Sequence, residues 1–224
     1  MCGIVCALDI NESPEILRPQ LLEMSKKLRH RGPDWSGIFS DENAVLAHER
    51  LAIVDPKSGQ QPLYSKDGRY VLAANGEIYN HLELREKYAK NHDFLTDSDC
   101  EIIIALYNQK GKDFLNDLNG IFGFVLYDSY ENKFLVARDH VGIIPLYVGW
   151  DKNDTMYVSS ELKAIEGKCQ KIEIFPPGSL YHSDDKDYVK WYSKSWMNFE
   201  TVKNNKTKIE ILKKSLEDAV HRQL

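Results

Sequence analysis

The chain begins Met1-Cys2-Gly3-Ile4-Val5-Cys6, and this stretch decides how the rest of the sequence is interpreted. If Met1 is removed, the Cys2 thiol and the chain's own α-amine lie on one residue. The thiolate is the reactive form of cysteine, and an adjacent amine can act as its base. Gly3 leaves space beside the sulfur, and Ile4-Val5 favour a buried strand over residues 3–9. The stretch therefore predicts a nucleophile at Cys2, with Cys6 as a core residue of the same strand.

Cys2 has two further interpretations when its position alone is considered. A cysteine near the start of a chain is commonly an inert, buried residue. A lipid anchor is the other alternative, but the flanking residues lack the basic cluster that a second membrane signal would supply. The remaining motifs have to decide between these interpretations.

Composition limits the classes of protein to which the chain can belong. Its 224 residues allow one large domain, or one domain and a fragment. The net charge of −5 gives no reason to expect nucleic acid or an anionic membrane as partner. No apolar run reaches the roughly 20 residues that span a bilayer, and the start does not resemble a signal peptide. The scattered cysteines and histidines predict a reducing, cytoplasmic setting without a disulfide framework or a metal site.

The first helix is predicted from Ser13-Pro14, an N-cap followed by a first-turn proline, to about Arg29. The segment from Arg29 to Gly37 then combines charges, turn formers and Trp35. A surface turn explains its glycine and proline, whereas the crowded charged residues favour a loop that contacts something. Both interpretations stay open for this loop.

Arg50 lies inside an apolar run that extends from Val45 to Val54, where an unpaired guanidinium would be costly. Its partner is either a ligand carboxylate, held by two hydrogen bonds, or a structural acid such as Glu49 or Asp55.

Asn75-Gly76 follows a strand predicted over residues 70–74. The pair could present a side-chain amide and a backbone N–H to one developing oxyanion, or it could form an ordinary hairpin turn. Further on, Ser98 and Glu101 predict a capping box that starts a helix. Asp99 in its first turn either complements the helix dipole or faces an ammonium group.

The strands and helices mix without βαβ regularity, which predicts an α+β fold with layered antiparallel sheets. Residues 121–127, 133–137 and 145–150 are expected to form an antiparallel meander. Beyond Tyr192 the sequence becomes a polar linker, followed by an amphipathic helix with Ile209, Leu212, Leu216 and Val220 on one face.

Together the motifs describe a site for an amino acid with a carbonyl in its side chain. Arg50 would bind the α-carboxylate and Asp99 the α-ammonium group. Cys2 would attack the side-chain carbonyl, and Asn75 with Gly76 would stabilise the oxyanion.

The same motifs resemble one family, the glutamine-hydrolysing domain of glutamine-dependent asparagine synthetases. These are class II amidotransferases with an N-terminal nucleophile, and the resemblance runs in order from residue 2 to about residue 195. It is carried by Cys2-Gly3-Ile4-Val5, Arg29-His30-Arg31-Gly32-Pro33-Asp34, His48 to Val54, Asn75-Gly76-Glu77-Ile78-Tyr79-Asn80 and Ser98-Asp99.

The resemblance implies a four-layer αββα sandwich of two antiparallel sheets flanked by helices. It also implies hydrolysis of glutamine to glutamate and ammonia through a thioester on Cys2, the first residue of the family's mature chains. The implied catalytic residues are Cys2, Asn75 and Gly76. The implied substrate-binding residues are Arg50 and Asp99, already predicted above, and four added by resemblance alone: Leu51, Ile53, Val54 and Glu77.

The resemblance further implies a glutaminase domain over residues 1–195. Residues 196–224 would be a linker and the first helix of a C-terminal synthetase domain, whose pyrophosphate-binding loop is absent from this sequence. The expected partners are L-glutamine and that synthetase domain, and a homodimer stays open. No cofactor is expected in residues 1–195, whereas ATP and magnesium would serve the synthetase domain.

Two alternatives remain at this point. One is the glutaminase domain of another class II amidotransferase, such as one serving amino-sugar or purine synthesis. The other is a catalytically silent domain of the same fold that serves structure or dimerisation. The presence of Cys2 argues against the silent domain.

Overall fold

Twelve strands form two six-stranded antiparallel sheets in a computed structural model that describes residues 1–88 and 92–223. The strands of the first sheet are β1 (Gly3–Leu8), β2 (Trp35–Ser40), β3 (Ala44–Arg50), β8 (Tyr147–Trp150), β9 (Met156–Ser159) and β10 (Lys171–Ile174). The strands of the second are β4 (Leu63–Tyr64), β5 (Tyr70–Ile78), β6 (Gly120–Asp128), β7 (Lys133–Arg138), β11 (Ser179–His182) and β12 (Tyr188–Lys190). Their spatial orders are β10-β8-β9-β1-β3-β2 and β12-β11-β7-β6-β5-β4.

In the residues that the structure describes, six α-helices accompany the sheets: α1 (Pro14–Lys26), α2 (His81–Tyr88), α3 (Ile102–Lys110), α4 (Leu162–Ile165), α5 (Phe199–Val202) and α6 (Ile209–His221). The chain divides into two compact units, Met1–Trp191 and Tyr192–Leu224. Both sheets and helices α1 to α4 belong to the first unit. The division into functional domains at residue 195 stays a prediction.

Three apolar layers hold the first unit together, because side chains alternate across each strand. Between the sheets, Ile4 and Cys6 of β1 share a buried cluster with Val71 and Ala73 of β5. On the outer side of the first sheet, β1 turns its other face, with Val5 and Ala7, towards α1 and α4. On the outer side of the second sheet, β5 turns Leu72 and Ala74 towards α3. The αββα sandwich is confirmed, and Cys6 is the buried core residue that was predicted.

The first helix ends earlier than its pattern predicted, at Lys26. Beyond it the backbone tightens into three-residue turns, in which Leu28 N–H bonds Ser25 O at 2.8 Å. Leu28 is thereby fully buried beside Gly3, where a Cβ would come within 2.8 Å of the Leu28 Cβ. Glycine at position 3 thus allows the end of this segment to pack on the chain start.

The predicted meander over residues 121–150 is wrong in its third strand. β6 and β7 form a hairpin, with Tyr127 opposite Phe134. β8 instead crosses to the first sheet and pairs with β9 and β10. Short polar turns join consecutive strands in both arrangements, so the spacing alone could not separate them.

The predicted capping box at Ser98 is also wrong. The Ser98 side chain makes no cap hydrogen bond, and the segment starts with a 3-10 turn over Asp99–Glu101. The Glu101 carboxylate accepts the N–H groups of Leu95 and Thr96 at 2.7 and 2.8 Å, so it holds the preceding loop.

The second unit contains a 3-10 turn (Ser195–Met197), α5 and α6. The Asn198 side chain caps α5 by accepting the Glu200 N–H at 3.0 Å. The predicted apolar face of α6 is present, and its residues are exposed: Ile209, Leu212, Leu216 and Val220. In the part of the chain that the structure describes, no helix is long and apolar enough to cross a membrane.

Candidate active site

The Cys2 side chain lies next to the backbone that leaves β3. Its Sγ is 3.3 Å from the Leu51 nitrogen, which donates to it, and 3.6 Å from the Leu51 carbonyl oxygen. The backbone of Cys2 is held from the other side, because Arg31 Nε donates to the Cys2 carbonyl at 2.8 Å. Cys2 is therefore held through its side chain by Leu51 and through its backbone by Arg31.

The charged loop from Arg29 to Gly37 contacts the chain itself. Arg31 forms an ion pair with Glu161 at 2.8 Å, and Asp34 Oδ2 accepts the Ala52 N–H at 2.9 Å. Burial opposes the ionisation of Glu161, but hydrogen bonds from Arg31, Lys163 and His30 lower its pKa to about 2. The loop thus joins the start of the chain to the segment after β3, which favours the contact interpretation over a simple surface turn.

Burial raises the pKa of the Cys2 thiol above its ordinary value. The Leu51 N–H, the terminal ammonium group and the Arg50 guanidinium each lower this pKa, while Asp99 raises it. Because burial dominates, the resting thiol is protonated near pH 7 and needs a base to become a nucleophile.

β5 continues through Asn75-Gly76 to Ile78, so these two residues do not form the hairpin turn that was one interpretation. They lie opposite Gly123 and Phe122 of β6. A side chain at position 76 would collide with β6, because a Cβ there would be 2.2 Å from the Ile121 carbonyl oxygen. Glycine is therefore required by the close approach of two strands.

In β5, the backbone N–H and C=O groups of alternate residues point away from β6, towards the open edge of the strand. The Ala74 N–H bonds Gln61 Oε1 at 2.7 Å, and the Ile78 N–H bonds Asp99 Oδ2 at 2.7 Å. Gly76 lies midway between Ala74 and Ile78, two residues from each, so its backbone groups point to the same side of the strand. Its carbonyl oxygen is 3.9 Å from Cys100 Sγ on that side. The alternation directs the Gly76 N–H to the same edge, where it can serve a ligand.

The Asn75 side chain is buried without a partner. The residue is 0% exposed, and among the described residues neither its amide nitrogen nor its amide oxygen has a hydrogen-bond partner. By strand alternation this side chain shares the inner face of β5 with Val71 and Ala73, which faces the first sheet. A buried, unsatisfied amide is costly, so its presence in a cleft indicates a ligand oxygen or nitrogen as its partner.

Arg50 is partnered by backbone carbonyls and not by the acids suggested from the sequence. Its Nη2 donates to Val54 O at 3.0 Å and Asp55 O at 2.6 Å, and its Nη1 donates to Pro56 O at 3.4 Å. These bonds use three of the five N–H groups of a guanidinium and leave two for a ligand carboxylate. Arg50 is 4% exposed, so such a bond would form in a largely desolvated place.

Asp99 is buried at 6% exposure, and its Oδ2 accepts the Ile78 N–H at 2.7 Å. A carboxylate can accept about four hydrogen bonds, so most of its capacity is available to an ammonium group. The bond to Ile78 anchors Asp99 to the same strand edge that carries Gly76.

A single cleft collects all nine residues predicted for the site. It encloses about 500 Å³ when its open mouth is included. Its lining comprises the predicted residues Cys2, Arg50, Leu51, Ile53, Val54, Asn75, Gly76, Glu77 and Asp99. The functions of these residues stay predictions. Ile53 is more than half exposed and forms the rim.

Seven further residues line the cleft and were not predicted: Met1, Gly59, Gln61, Ser98, Cys100, Ile121 and Ile144. Ser98 and Cys100 flank Asp99, so the helix-start motif could have indicated them. Ile121 and Ile144 have no local signal, because separate loops and strands bring them together. In residues 1–88 and 92–223, no group of three His, Cys, Asp or Glu side chains could hold a metal ion.

Comparisons with known proteins agree with this geometry. The model of the glutamine amidotransferase domain family matches residues 1–189. The chain is 49% identical over its whole length to asparagine synthetase B (glutamine-hydrolyzing) of Escherichia coli K12, and 46% identical to the asparagine synthetase (glutamine-hydrolyzing) of Asparagus officinalis. It covers 40% and 38% of these two relatives, so it spans about two fifths of their length.

The fold has a solved counterpart. The glutamine phosphoribosylpyrophosphate amidotransferase of B. subtilis, solved with ADP and GMP, aligns with a TM-score of 0.69 over 86% of this chain and 50% of that protein. The identity of 21% makes this a likeness of fold alone. The family match over residues 1–189 shows that the chain belongs to the glutamine amidotransferase domain family.

Proposed function

We propose that this chain hydrolyses glutamine to glutamate and ammonia, with Cys2 as the nucleophile. The observation that carries the proposal is the unpartnered, buried Asn75 amide in the same cleft as the Cys2 thiol. Arg50 and Asp99 supply opposite charges there for the two ends of an α-amino acid. The family membership and the near 50% identity to glutamine-hydrolyzing relatives support the same substrate.

In the proposed reaction the Cys2 thiolate bonds to the side-chain carbonyl carbon of glutamine. The electron pair of the carbonyl moves to its oxygen, which the Asn75 amide and the Gly76 N–H stabilise. Collapse of this intermediate breaks the carbon–nitrogen bond, and the leaving nitrogen takes a proton and departs as ammonia. Water then adds to the thioester and releases glutamate and the thiolate, so one water is consumed for each glutamine.

The base in this scheme is the α-amine of Cys2, which exists only once Met1 has been removed. In the chain with Met1, the Cys2 nitrogen is a peptide nitrogen, and Met1 itself lines the cleft. A free amine with a pKa of about 8 is well matched to a thiol for proton exchange near neutral pH. Processing therefore both creates the base and removes a side chain from the cleft wall.

The test is release of glutamate from glutamine by protein whose mass shows that Met1 is absent. We expect activity from this form, no activity from Cys2→Ala, and a rate that falls on the acid side as the amine becomes protonated. Cys6→Ala is a matched control, because that thiol lies in the core between the sheets. Processed wild-type protein without glutaminase activity, although its Cys2 reacts with a glutamine-like electrophile, would contradict the proposal.

For the longer protein of which such domains form part, we propose that the ammonia serves asparagine formation. The support is the name and length of the relatives, which extend well beyond this chain. In that scheme a C-terminal synthetase domain binds ATP and magnesium and receives the ammonia, and residues 1–195 need no cofactor. The four free cysteines favour a reducing, cytoplasmic setting.

A further inference from the structure

The Ala74–Asn75 peptide is held by two side chains that were not among the predicted site residues. Gln61 Oε1 accepts the Ala74 N–H at 2.7 Å, and Gln61 Nε2 donates to the Ala74 carbonyl at 3.0 Å. His48 Nε2 lies 2.9 Å from the same carbonyl oxygen. Because a carbonyl oxygen can only accept, both nitrogens donate to it, and this oxygen receives two side-chain hydrogen bonds.

Gln61 takes the place of a neighbouring strand. β4 pairs with β5 only at Leu72 and Val71, so Ala74 lies beyond the end of β4 on the open edge of the sheet. There the Gln61 amide supplies one donor and one acceptor, as a paired residue of a strand would. Gln61 is 7% exposed and lines the cleft, so its hydrogen bonds are shielded from water.

His48 connects the two sheets. It lies in β3 opposite Ile4 of β1, whereas Ala74 belongs to the second sheet. Its ring is fully buried, and burial lowers its pKa to about 4, so the imidazole is neutral near pH 7. Nδ1 has no partner among the described residues, in agreement with the Nε2–H tautomer. Three residues further along this segment, the Leu51 N–H contacts Cys2 Sγ.

These bonds matter because the Asn75 side chain has no hydrogen-bond partner in residues 1–88 and 92–223. Its place relative to Cys2 is therefore set by its backbone, and the Ala74 carbonyl and Asn75 N–H share one rigid peptide plane. An oxyanion donor has to meet the developing charge at hydrogen-bond distance, and a misplacement of about 1 Å can cost roughly 100-fold in rate.

We propose that Gln61 and His48 are positioning residues, which together clamp the Ala74–Asn75 peptide and so place the Asn75 amide opposite the Cys2 sulfur. The proposal rests on the glutaminase function proposed above. His48 ties the clamp to the strand that contacts the nucleophile, and Gln61 closes the sheet edge beside the oxyanion position. Neither side chain takes part in bond making.

The first test is Gln61→Met in Met1-free protein, which keeps the length of the side chain and removes its donor and acceptor. We expect kcat for glutamine to fall roughly 10- to 100-fold, with KM changed less than about twofold. Alkylation of Cys2 by iodoacetamide should keep its wild-type rate, because displacement at that carbon develops no oxyanion. Gln60→Met is the matched control, since Gln60 is the exposed neighbour.

The second test compares His48→Phe with His48→Gln. Phenylalanine keeps a ring but no donor, and we expect a loss of kcat similar to that of Gln61→Met. Glutamine can still donate to the Ala74 carbonyl, and it should recover most of the activity lost in the phenylalanine variant. Thermal melting of all variants shows whether each one is folded, and Gln61→Met keeps the test valid should His48→Phe fail to fold.

Two results would overturn the proposal: an unchanged kcat in Gln61→Met, or parallel losses of hydrolysis and Cys2 alkylation, which indicate general distortion of the site. Failure of the glutaminase function would look different. In that case the processed wild-type protein itself would be alkylated normally and would not hydrolyse glutamine.

Discussion

Replacement of Asn75 by leucine should stabilise the protein and inactivate it. The Asn75 amide is fully buried with neither polar atom satisfied among the described residues. A branched apolar side chain of similar shape removes the cost of burying these groups, which is about 1–3 kcal/mol for an unsatisfied buried polar group. The same change removes an oxyanion donor, whose loss costs roughly 100- to 1,000-fold in kcat.

The assay has two parts, chemical denaturation for the free energy of unfolding and glutamate release for kcat. A gain of about 1–3 kcal/mol corresponds to roughly 2–12 °C in melting temperature for a domain of 150–250 residues. Asn80→Leu is the control. Its Oδ1 accepts the Asn119 N–H and its Nδ2 donates to Asp117 O, both at 2.9 Å, so its replacement should destabilise the protein.

The comparison is informative because Asn75→Leu and Asn80→Leu are expected to change the free energy of unfolding in opposite directions. If Asn75→Leu lowers the free energy of unfolding as Asn80→Leu does, the Asn75 amide has a structural partner and is not available to bind a ligand. If Asn75→Leu keeps kcat within a few-fold of wild type, the amide is not an oxyanion donor. Either result would refute the reasoning from burial to function.

Two other predictions follow from the cleft and its supporting strand. Gly59→Ala should raise KM for glutamine by roughly tenfold with little change in kcat, because a Cβ at Gly59 would lie 2.7 Å from Arg50 Nη2 and displace the guanidinium from the substrate carboxylate. The control is Gly167→Ala, where a Cβ meets nothing within 4 Å, and an equal KM in the two variants would contradict the role of Arg50. The free energy of unfolding should fall as the pH drops from about 6.5 to about 4, because His48 binds a proton in the unfolded chain but stays neutral in the folded chain, where its pKa is about 4. The expected loss is roughly 3 kcal/mol. Denaturation of His48→Gln over the same range should show a weaker dependence of this free energy on pH.

Nine residues that line the cleft were predicted from residue types, local order and the family resemblance. A thiol next to the chain start, an arginine inside an apolar run, an Asn-Gly pair and an acid at a helix start each have few functions in a protein. Their combination pointed to an amino-acid substrate with a side-chain carbonyl. The layered antiparallel fold was likewise predictable, because strands and helices follow one another without βαβ regularity, and this order can be read from the sequence.

Other features depended on contacts between segments that are distant in the sequence. Local spacing assigned β8 to the wrong sheet, since a short turn serves a hairpin and a crossover equally well. A ligand carboxylate or a structural acid was predicted as the partner of Arg50, whereas the loop of residues 54–56 returns to it with three backbone carbonyls. Gln61 had no signal in the sequence and His48 had only its place in the family motif, because the clamp proposed for them depends on where β4 ends and on which strand lies across the sandwich.

The first residues of the chain show the same difference between what the sequence predicts and what distant contacts decide. The sequence by itself determined that Cys2 could be a nucleophile, since reactivity belongs to the thiol and its adjacent amine. Only the tertiary structure decided that the Leu51 N–H meets the sulfur, that burial raises the pKa of the thiol, and that the Gly76 N–H points to the open edge of β5. The physical reason is that hydrogen-bond directions and desolvation are properties of packed neighbours, which come from distant segments of the chain, as Leu51 does for Cys2.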